Sequence, residues 1–146
     1  MISNIYPLKE EDIFAVYEIE KECFSSPWSQ NGIKEELTNP LANFLVYKLD
    51  GRTVGYIGSH IVCDECSITN VAVLKDFRRK NIASTLIDAL IEICKEKAVE
   101  SIFLEVRKSN IAAQTLYLKK GFSPIGERKN FYTAPTEDAL LMKFKL

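Results

Sequence analysis

The chain has 146 residues, of which 47% are hydrophobic, and its formal net charge is -1. This length and apolar content predict one compact domain over residues 1–146. The small net charge disfavours nucleic-acid binding. Because no apolar run is long enough for a membrane span or a signal peptide, we expect a soluble, cytoplasmic protein.

The first half of the chain predicts one short strand, two helices and three further strands. Apolar residues recur at helical spacing after the first strand, and Asp50-Gly51 is a strong hairpin signal between two apolar runs. The predicted elements are, in chain order, a strand at Ser3–Pro7, helices at Glu10–Phe24 and Gln30–Leu37, and strands at Phe44–Leu49, Thr53–Val62 and Ser67–Val73.

The second half predicts helices that alternate with strands. Apolar residues from Ile82 to Ile93 recur at helical spacing, and a strand–helix–strand passage implies a local parallel crossover. Phe131 and Tyr132 are expected in the loop between the last two strands. The predicted elements are a helix from Ile82 to near Lys97, a strand at Ser101–Val106, a helix at Asn110–Lys119, and strands at Phe122–Arg128 and Ala139–Phe144.

The four cysteines and the single histidine do not form a metal-binding pattern. Cys63 and Cys66 have the spacing of half a zinc site, but a zinc site needs a second pair, and Cys23, Cys94 and His60 stand apart in the sequence. We therefore expect no metal and four reduced thiols that mostly fill the core.

The segment from Ile68 to Ala83 has a pattern typical of a phosphate site. An apolar strand is followed by the basic turn Arg78-Arg79-Lys80 and then by a helix start. Backbone N–H groups at a helix N-terminus favour a pyrophosphate, and Asn81 can adopt the left-handed angles of such a turn. The alternative is a basic surface turn that ends a strand and caps a helix.

The segment Leu104–Phe122, which reads LEVRKSNIAAQTLYLKKGF, is more specific. It resembles the L-E-V-R-x-S-N-x-x-A-x-x-L-Y-x-x-x-G-F signature of the ribosomal-protein-alanine N-acetyltransferases of the GNAT superfamily. The earlier segment is similar to the acetyl-coenzyme-A loop of that superfamily, R/Q-x-x-G-x-G/A, with Asn81 where glycine is usual. Phe24–Ser29 is similar to the F-P-W-S segment of the same subfamily, so the resemblance covers nearly the whole chain.

The resemblance implies the GNAT fold, an α/β fold with a mixed central sheet of about seven strands and about four helices. It implies an enzyme that transfers the acetyl group of acetyl-coenzyme A to the N-terminal α-amine of a protein, without a metal. The acceptor it implies is the N-terminal alanine of the eighteenth small-subunit ribosomal protein. It leaves the oligomeric state open.

The resemblance also implies the catalytic pair Glu105 and Tyr117. Glu105 is the candidate base, acting through a water, and Tyr117 is the candidate acid that faces the coenzyme sulfur. A carboxylate suits an α-amine, whose pKa of about 7.7–8.0 makes it about 3.5 kcal/mol easier to deprotonate than lysine. The alternatives are a solvated Glu105 or one paired with Arg107, and a Tyr117 that only packs in the core.

The cofactor residues follow from the same resemblance. The backbone of β-strand residues is expected to pair with the pantetheine arm like an added strand, and the following loop is expected to surround the pyrophosphate. Asn110 is a good helix N-cap and a candidate contact to the arm. The predicted set is Val71, Ala72 and Val73 for the arm, and Arg79, Lys80, Asn81, Ile82, Ala83 and Ser84 for the pyrophosphate.

The acceptor site is predicted at two aromatic positions, Trp28 and the pair Phe131-Tyr132, although aromatic residues in loops also serve as packing anchors. Related enzymes often have two tyrosines where this chain has Phe131 and Tyr132. Two other functions stay open at this point. One is a GNAT enzyme acting on a small-molecule amine or a lysine side chain, and the other is a non-catalytic coenzyme-A-binding module.

Overall fold

A computed structural model of the protein describes residues 4–146 and shows a seven-stranded sheet in the order β1-β2-β3-β4-β5-β7-β6. The predicted order of helices and strands is confirmed, and Ser3 lies outside the described residues. The strands are β1 Ile5–Pro7, β2 Ala42–Leu49, β3 Arg52–Val62, β4 Glu65–Val73, β5 Ser101–Arg107, β6 Ser123–Tyr132 and β7 Glu137–Lys145, and the helices are α1 Ile13–Cys23, α2 Gln30–Glu36, α3 Ile82–Glu96 and α4 Ile111–Lys120.

The sheet is antiparallel except between β4 and β5, which run parallel as the crossover predicted. Paired residues of these two strands run from Glu65 with Ser101 to Ser67 with Phe103. In the described part of the chain, no pairing between the two strands continues past that point. Because the strands then separate, a gap opens in the middle of the sheet.

A β-bulge interrupts β4 close to this gap. Gly58 of β3 pairs with Asn70 and the next residue, Ser59, pairs with Ile68, so Thr69 is the extra residue on β4. A side chain at position 58 has no room, because a Cβ there would lie 2.6 Å from the Phe44 ring and 2.8 Å from Thr69 Oγ1. Bulges re-aim side chains, and this one does so beside the gap.

Local turn signals were predicted well. Asp50 and Gly51 both have positive φ, 51° and 78°, and they close the β2–β3 hairpin as expected. The first helix is shorter than predicted, because Glu10–Asp12 form a 3-10 turn before α1. The Asp12 carboxylate accepts the Lys9 N–H at 2.9 Å, which stabilises this turn.

The predicted loop position of Phe131 and Tyr132 is wrong. Both residues belong to β6, which continues past a register shift at Arg128 to the pair formed by Tyr132 and Glu137. Asn130, with φ of 53°, supplies the left-handed residue that such an irregularity requires. The true loop is the short turn that follows, so the two aromatic rings are held by the sheet.

Two apolar clusters cover the two faces of the sheet. The larger includes the predicted stripe of α3, with Ile82, Leu86 and Leu90 buried, and the smaller includes α1 and α2. Cys66 and Cys94 are buried, as expected of core thiols, whereas Cys63 is exposed. None of the described helices is long and apolar enough to cross a membrane.

Candidate active site

A cavity of about 600 Å³ lies where β4 and β5 separate. Its volume falls in the range of ordinary ligand sites. Its walls come from α1 and the loop after it, β4, β5, α4, and the end of β6 with its turn. Its lining residues include Glu20, Cys23, Trp28, Thr69, Asn70, Val71, Glu105, Arg107, Asn110, Tyr117, Phe131, Tyr132 and Thr133.

The cavity brings together candidates that are far apart in the sequence. Both proposed catalytic residues line it, together with all three proposed acceptor residues and two cofactor candidates, Val71 and Asn110. The other cofactor candidates continue from this wall along the end of β4 and into the first turn of α3. They are Ala72, Val73, Arg79, Lys80, Asn81, Ile82, Ala83 and Ser84.

Glu105 is exposed on β5, where it pairs through the backbone with Leu141 of β7. Its carboxylate forms no hydrogen bond or ion pair with any residue in 4–146. The alternative of a pair with Arg107 is wrong, because the Arg107 guanidinium lies 3.2 Å from the Glu137 carboxylate instead. The Glu105 carboxylate is therefore open to the cavity and available to accept a proton.

Tyr117 lies on α4 with only 8% of its surface exposed. Its ring packs against Phe122, with 5.8 Å between ring centroids. Burial raises the pKa of Tyr117 to about 12, and nearby Tyr132 adds to the increase. The Tyr117 hydroxyl has no hydrogen-bond partner within residues 4–146. The ring is thus a packed core aromatic, and its protonated hydroxyl is still free to donate in the cavity.

The loop before α3 contains two left-handed residues and leads into a helix N-terminus without a side-chain cap from residues 4–146. Asn81 is left-handed, with φ of 60° and ψ of 21°, as predicted from its residue type. Arg79 is also left-handed, with φ of 64°, which the sequence did not indicate. No described side chain caps the helix, so the N–H groups of its first turn, beginning at Ile82, remain available to an anion.

The Arg78 side chain stabilises this loop through two hydrogen bonds. Its Nε donates to the Val73 carbonyl at 3.1 Å, and its Nη2 donates to Cys23 Sγ at 3.4 Å. The guanidinium therefore connects the loop to the end of β4 and to the end of α1.

Asn110 has the predicted N-cap role in α4. Its Oδ1 accepts the Ala113 N–H at 3.1 Å. Gln114 completes the connection from β5, since its Nε2 donates to the carbonyls of Arg107 at 3.0 Å and Lys108 at 2.9 Å. These bonds fix α4, and with it Tyr117, relative to the strand that carries Glu105.

Aromatic rings form two walls of the cavity. The Trp28 ring lies 5.8 Å from the Phe44 ring, measured between centroids. Phe131 and Tyr132, which also line the cavity, meet edge to face with 5.0 Å between their ring centroids. Burial and the charge of nearby Glu105 raise the pKa of Tyr132 to about 12, so its hydroxyl also stays protonated at neutral pH. Both predicted aromatic positions therefore border the same space.

Comparison with known proteins fits this geometry. The sequence profile of the acetyltransferase (GNAT) family matches residues 13–122. The chain belongs to this family. It is therefore an acetyltransferase, and the gap between β4 and β5 lies within the matched region, as do Glu105 and Tyr117.

Two relatives and one solved structure make the likeness more specific. A protein of Bacillus subtilis (strain 168), provisionally named a [ribosomal protein bS18]-alanine N-acetyltransferase, is 46% identical over 92% of this chain and 90% of its own. The [ribosomal protein bS18]-alanine N-acetyltransferase of Escherichia coli (strain K12) is 32% identical over 97% and 96%. The crystal structure of the ribosomal-protein-S18-alanine N-acetyltransferase from Escherichia coli has a TM-score of 0.89 at 30% identity, covering 97% of this chain and 92% of that one.

Sequence reasoning missed two charged residues of this GNAT site. Arg107 stands inside the signature, but only the structure shows that it binds the turn after β6, donating to the carbonyls of Thr133 at 2.9 Å and Pro135 at 3.0 Å. Its guanidinium also lies 4.6 Å from the centre of the Tyr132 ring.

Glu20 is the second charged residue that the sequence did not reveal. Its position on the buried stripe of α1, one turn after Val16, was the signal that could have identified it.

Proposed function

We propose that this GNAT acetyltransferase transfers the acetyl group of acetyl-coenzyme A to the N-terminal α-amine of a protein, with the N-terminal alanine of ribosomal protein bS18 as acceptor. One observation carries the proposal. An unpaired carboxylate, Glu105, and an unpaired phenol, Tyr117, line one cavity at the separation of two parallel strands. The names of the Bacillus subtilis and Escherichia coli relatives, both of which describe alanine N-acetyltransferases of ribosomal protein bS18, support this acceptor.

The proposed coenzyme site uses mainly backbone groups. Val71, Ala72 and Val73 lie on the part of β4 that has separated from β5, so they can pair with the amide groups of the pantetheine arm. The uncapped N-terminus of α3 after Asn81 suits the pyrophosphate. Acetyl-coenzyme A supplies the thioester when bound, and the residues of the chain orient it.

The two catalytic candidates have protonation states that suit their roles. A free α-amine has a pKa of about 7.7–8.0, so about a tenth is neutral at pH 7 and a carboxylate suffices to take the remaining proton through a water. Glu105 is exposed to the cavity for that purpose. With its pKa at about 12, Tyr117 is protonated at neutral pH and can donate to the departing sulfur.

The acceptor is proposed to lie between the aromatic walls formed by Trp28 and by Phe131 with Tyr132. These rings line the cavity, and the loop that precedes α3 is not part of its lining. An extended chain end fits between two such walls, and aromatic rings supply large contact areas at small entropic cost. The proposed place of action is the cytoplasm, where ribosomal proteins are made.

A comparison of three acceptors, each offered separately, tests the proposal. The protein is incubated with labelled acetyl-coenzyme A and one of three acceptors, which are a peptide with the bS18 N-terminus, the same peptide blocked at its N-terminus but retaining its lysines, and a set of small amines. We expect label in the free N-terminus alone. Faster labelling of lysines or small amines would overturn the proposed acceptor, and coenzyme binding without any acetyl transfer would favour a binding module.

A further inference from the structure

A buried carboxylate lies in the wall of the cavity, close to the acceptor loop. Glu20 of α1 is only 1% exposed. Its Oε1 accepts the Trp28 N–H at 3.0 Å, and its Oε2 accepts the Tyr56 hydroxyl at 2.5 Å and Asn70 Nδ2 at 3.2 Å. Asn70 Nδ2 also donates to the Tyr56 hydroxyl oxygen at 3.0 Å. We call these four residues the Glu20 cluster.

If the Glu20 cluster only filled the core, burying its carboxylate would be energetically unfavourable. A buried carboxylate loses its hydration, and no lysine, arginine or histidine among residues 4–146 pairs with Glu20. Val16 and Ile19, its neighbours on α1, are fully buried apolar residues. An apolar side chain at position 20 would therefore pack at least as well. Packing does not explain the carboxylate, whereas a role at the cavity does.

The partners of Glu20 come from three different elements that meet at the cavity. Trp28 belongs to the loop between α1 and α2, Tyr56 to β3, and Asn70 to β4 immediately after the bulge. The same bulge holds Thr69, whose Oγ1 is buried with no hydrogen-bond partner among the described residues. The wall thus combines a carboxylate that accepts hydrogen bonds from three elements with a buried hydroxyl that has no partner among the described residues.

We propose that Glu20 is a positioning residue for the acceptor, which holds the Trp28 loop against β4 beside the space that the acceptor's chain end enters. This inference rests on the proposed function. Glu20 acts through Trp28 and Asn70, so it belongs to acceptor binding and not to the coenzyme site. Glu20 forms no hydrogen bond with the described residues of the loop before α3 or with Val71, Ala72 or Val73.

Kinetics with each substrate varied separately test this assignment. Glu20→Gln keeps the size of the side chain but replaces one acceptor oxygen with an N–H donor, so the side chain can no longer accept all three hydrogen bonds. We expect kcat/KM for the acceptor peptide to fall about tenfold, while the KM for acetyl-coenzyme A stays within about twofold. Glu18→Gln is the matched control on the same helix, because Glu18 only forms a surface pair with Lys21 at 2.9 Å. It should leave both parameters unchanged.

Fluorescence gives a second readout that does not depend on the acceptor. Trp28 is the single tryptophan of the chain, so intrinsic emission reports on the loop that Glu20 holds. Glu20→Ala should shift the emission to the red and increase quenching by acrylamide, and Tyr56→Phe, which removes one donor from the cluster, should produce a smaller change. Circular dichroism of each variant shows that the fold is retained.

Two results would overturn the assignment. One is unchanged Trp28 emission and unchanged peptide kcat/KM in the Glu20 variants, and the other is an equal loss of acetyl-coenzyme A affinity. Failure of the unmodified protein to acetylate any free N-terminus is a separate result, which would contradict the proposed function. In that case the Trp28 emission of Glu20→Ala decides alone whether Glu20 holds the loop.

Discussion

The Arg107 guanidinium lies 3.2 Å from the Glu137 carboxylate, and this pair connects β5 to the start of β7. Glu137 also accepts the Ser109 N–H at 2.5 Å. Hydrogen bonding by the Ser109 side chain, with smaller contributions from the Ser109 N–H and Arg107, holds the pKa of Glu137 below its usual value. Because Arg107 also binds the Thr133 carbonyl and lies over Tyr132, one side chain joins the strand that carries Glu105 to the end of β6 and its turn.

Arg107→Lys should weaken acceptor binding. Lysine keeps the charge but has no planar fork to reach the carbonyls of Thr133 and Pro135 together with Glu137. Because each hydrogen bond of a charged group contributes on the order of 1.5–3 kcal/mol, we expect the KM for the acceptor peptide to rise at least about tenfold. Steady-state kinetics measure this.

The neighbouring Lys108 provides the control for Arg107→Lys. It forms an exposed pair with Glu127 at 2.7 Å, and such pairs contribute little. Lys108→Gln should therefore leave the KM for the peptide unchanged. Equal effects of the two substitutions would contradict the role given to Arg107.

Asn81→Gly should preserve or tighten coenzyme A binding, and Asn81→Pro should nearly abolish it. Asn81 has φ of 60°, which glycine adopts without strain and proline cannot adopt. Isothermal titration calorimetry with coenzyme A measures both affinities. Asn130→Gly is the matched control, since Asn130 is also left-handed, with φ of 53°, but lies in β6. Equal affinities of the glycine and proline variants would disprove the loop assignment.

The parts of the structure that the sequence predicted are those with local causes. The Asp50-Gly51 hairpin, the left-handed Asn81 and the Asn110 cap each depend on neighbouring residues. The Glu20 cluster depends on Trp28, Tyr56 and Asn70, which are distant in sequence and meet only through the sheet. No local pattern reports such contacts.

The error at Phe131 and Tyr132 has a similar explanation. The polar sequence before them indicates the end of a strand, but β7 supplies backbone partners that extend β6 past its irregularity. Tertiary pairing overrides the local preference there. The separation of β4 from β5 was likewise available only through the family resemblance, because residues 67 and 103 are far apart in the chain.

Glu105→Gln should lower kcat, and the loss should be largest at low pH. The amide cannot accept a proton, and less of the acceptor amine is neutral as the pH falls. Rate measurements from pH 6 to 9 check this, with Glu96→Gln at the exposed end of α3 as a control of the same chemistry. If Glu105→Gln kept both the rate and the pH profile of the unmodified enzyme, Glu105 would not be the base.

Tyr117→Phe should lower kcat with little change in coenzyme A affinity, because the hydroxyl is needed mainly when the thiolate departs. The ring, which packs on Phe122, is retained, so stability should change little. With its pKa at about 12, Tyr117 should cause no loss of activity on the alkaline side below that pH. Tyr17→Phe on α1 is the control. Unchanged kcat in Tyr117→Phe would show that another group protonates the sulfur.

Glu20 should make stability depend on pH in a direction opposite to that of an ordinary salt-bridged carboxylate. Burial raises the pKa of Glu20, although the hydrogen bonds from Trp28, Tyr56 and Asn70 oppose this increase. As the pH rises above about 4.3, the ordinary value for glutamate, the unfolded chain releases this proton before the folded chain does. The contribution of Glu20 to the free energy of unfolding therefore decreases until the pH passes its pKa in the folded protein.

Urea unfolding of the wild-type protein and Glu20→Gln from pH 4 to 8 tests this sign. Other carboxylates titrate in both proteins, so the difference in the free energy of unfolding isolates Glu20, apart from its interaction with the nearby Cys23 thiol. We expect the variant to gain stability relative to wild type as the pH rises, even though its acceptor kinetics become worse, which separates a functional carboxylate from a stabilising one. A difference that is constant with pH, or that changes in the opposite direction, would show that burial in the folded protein does not disfavour the ionised form of Glu20.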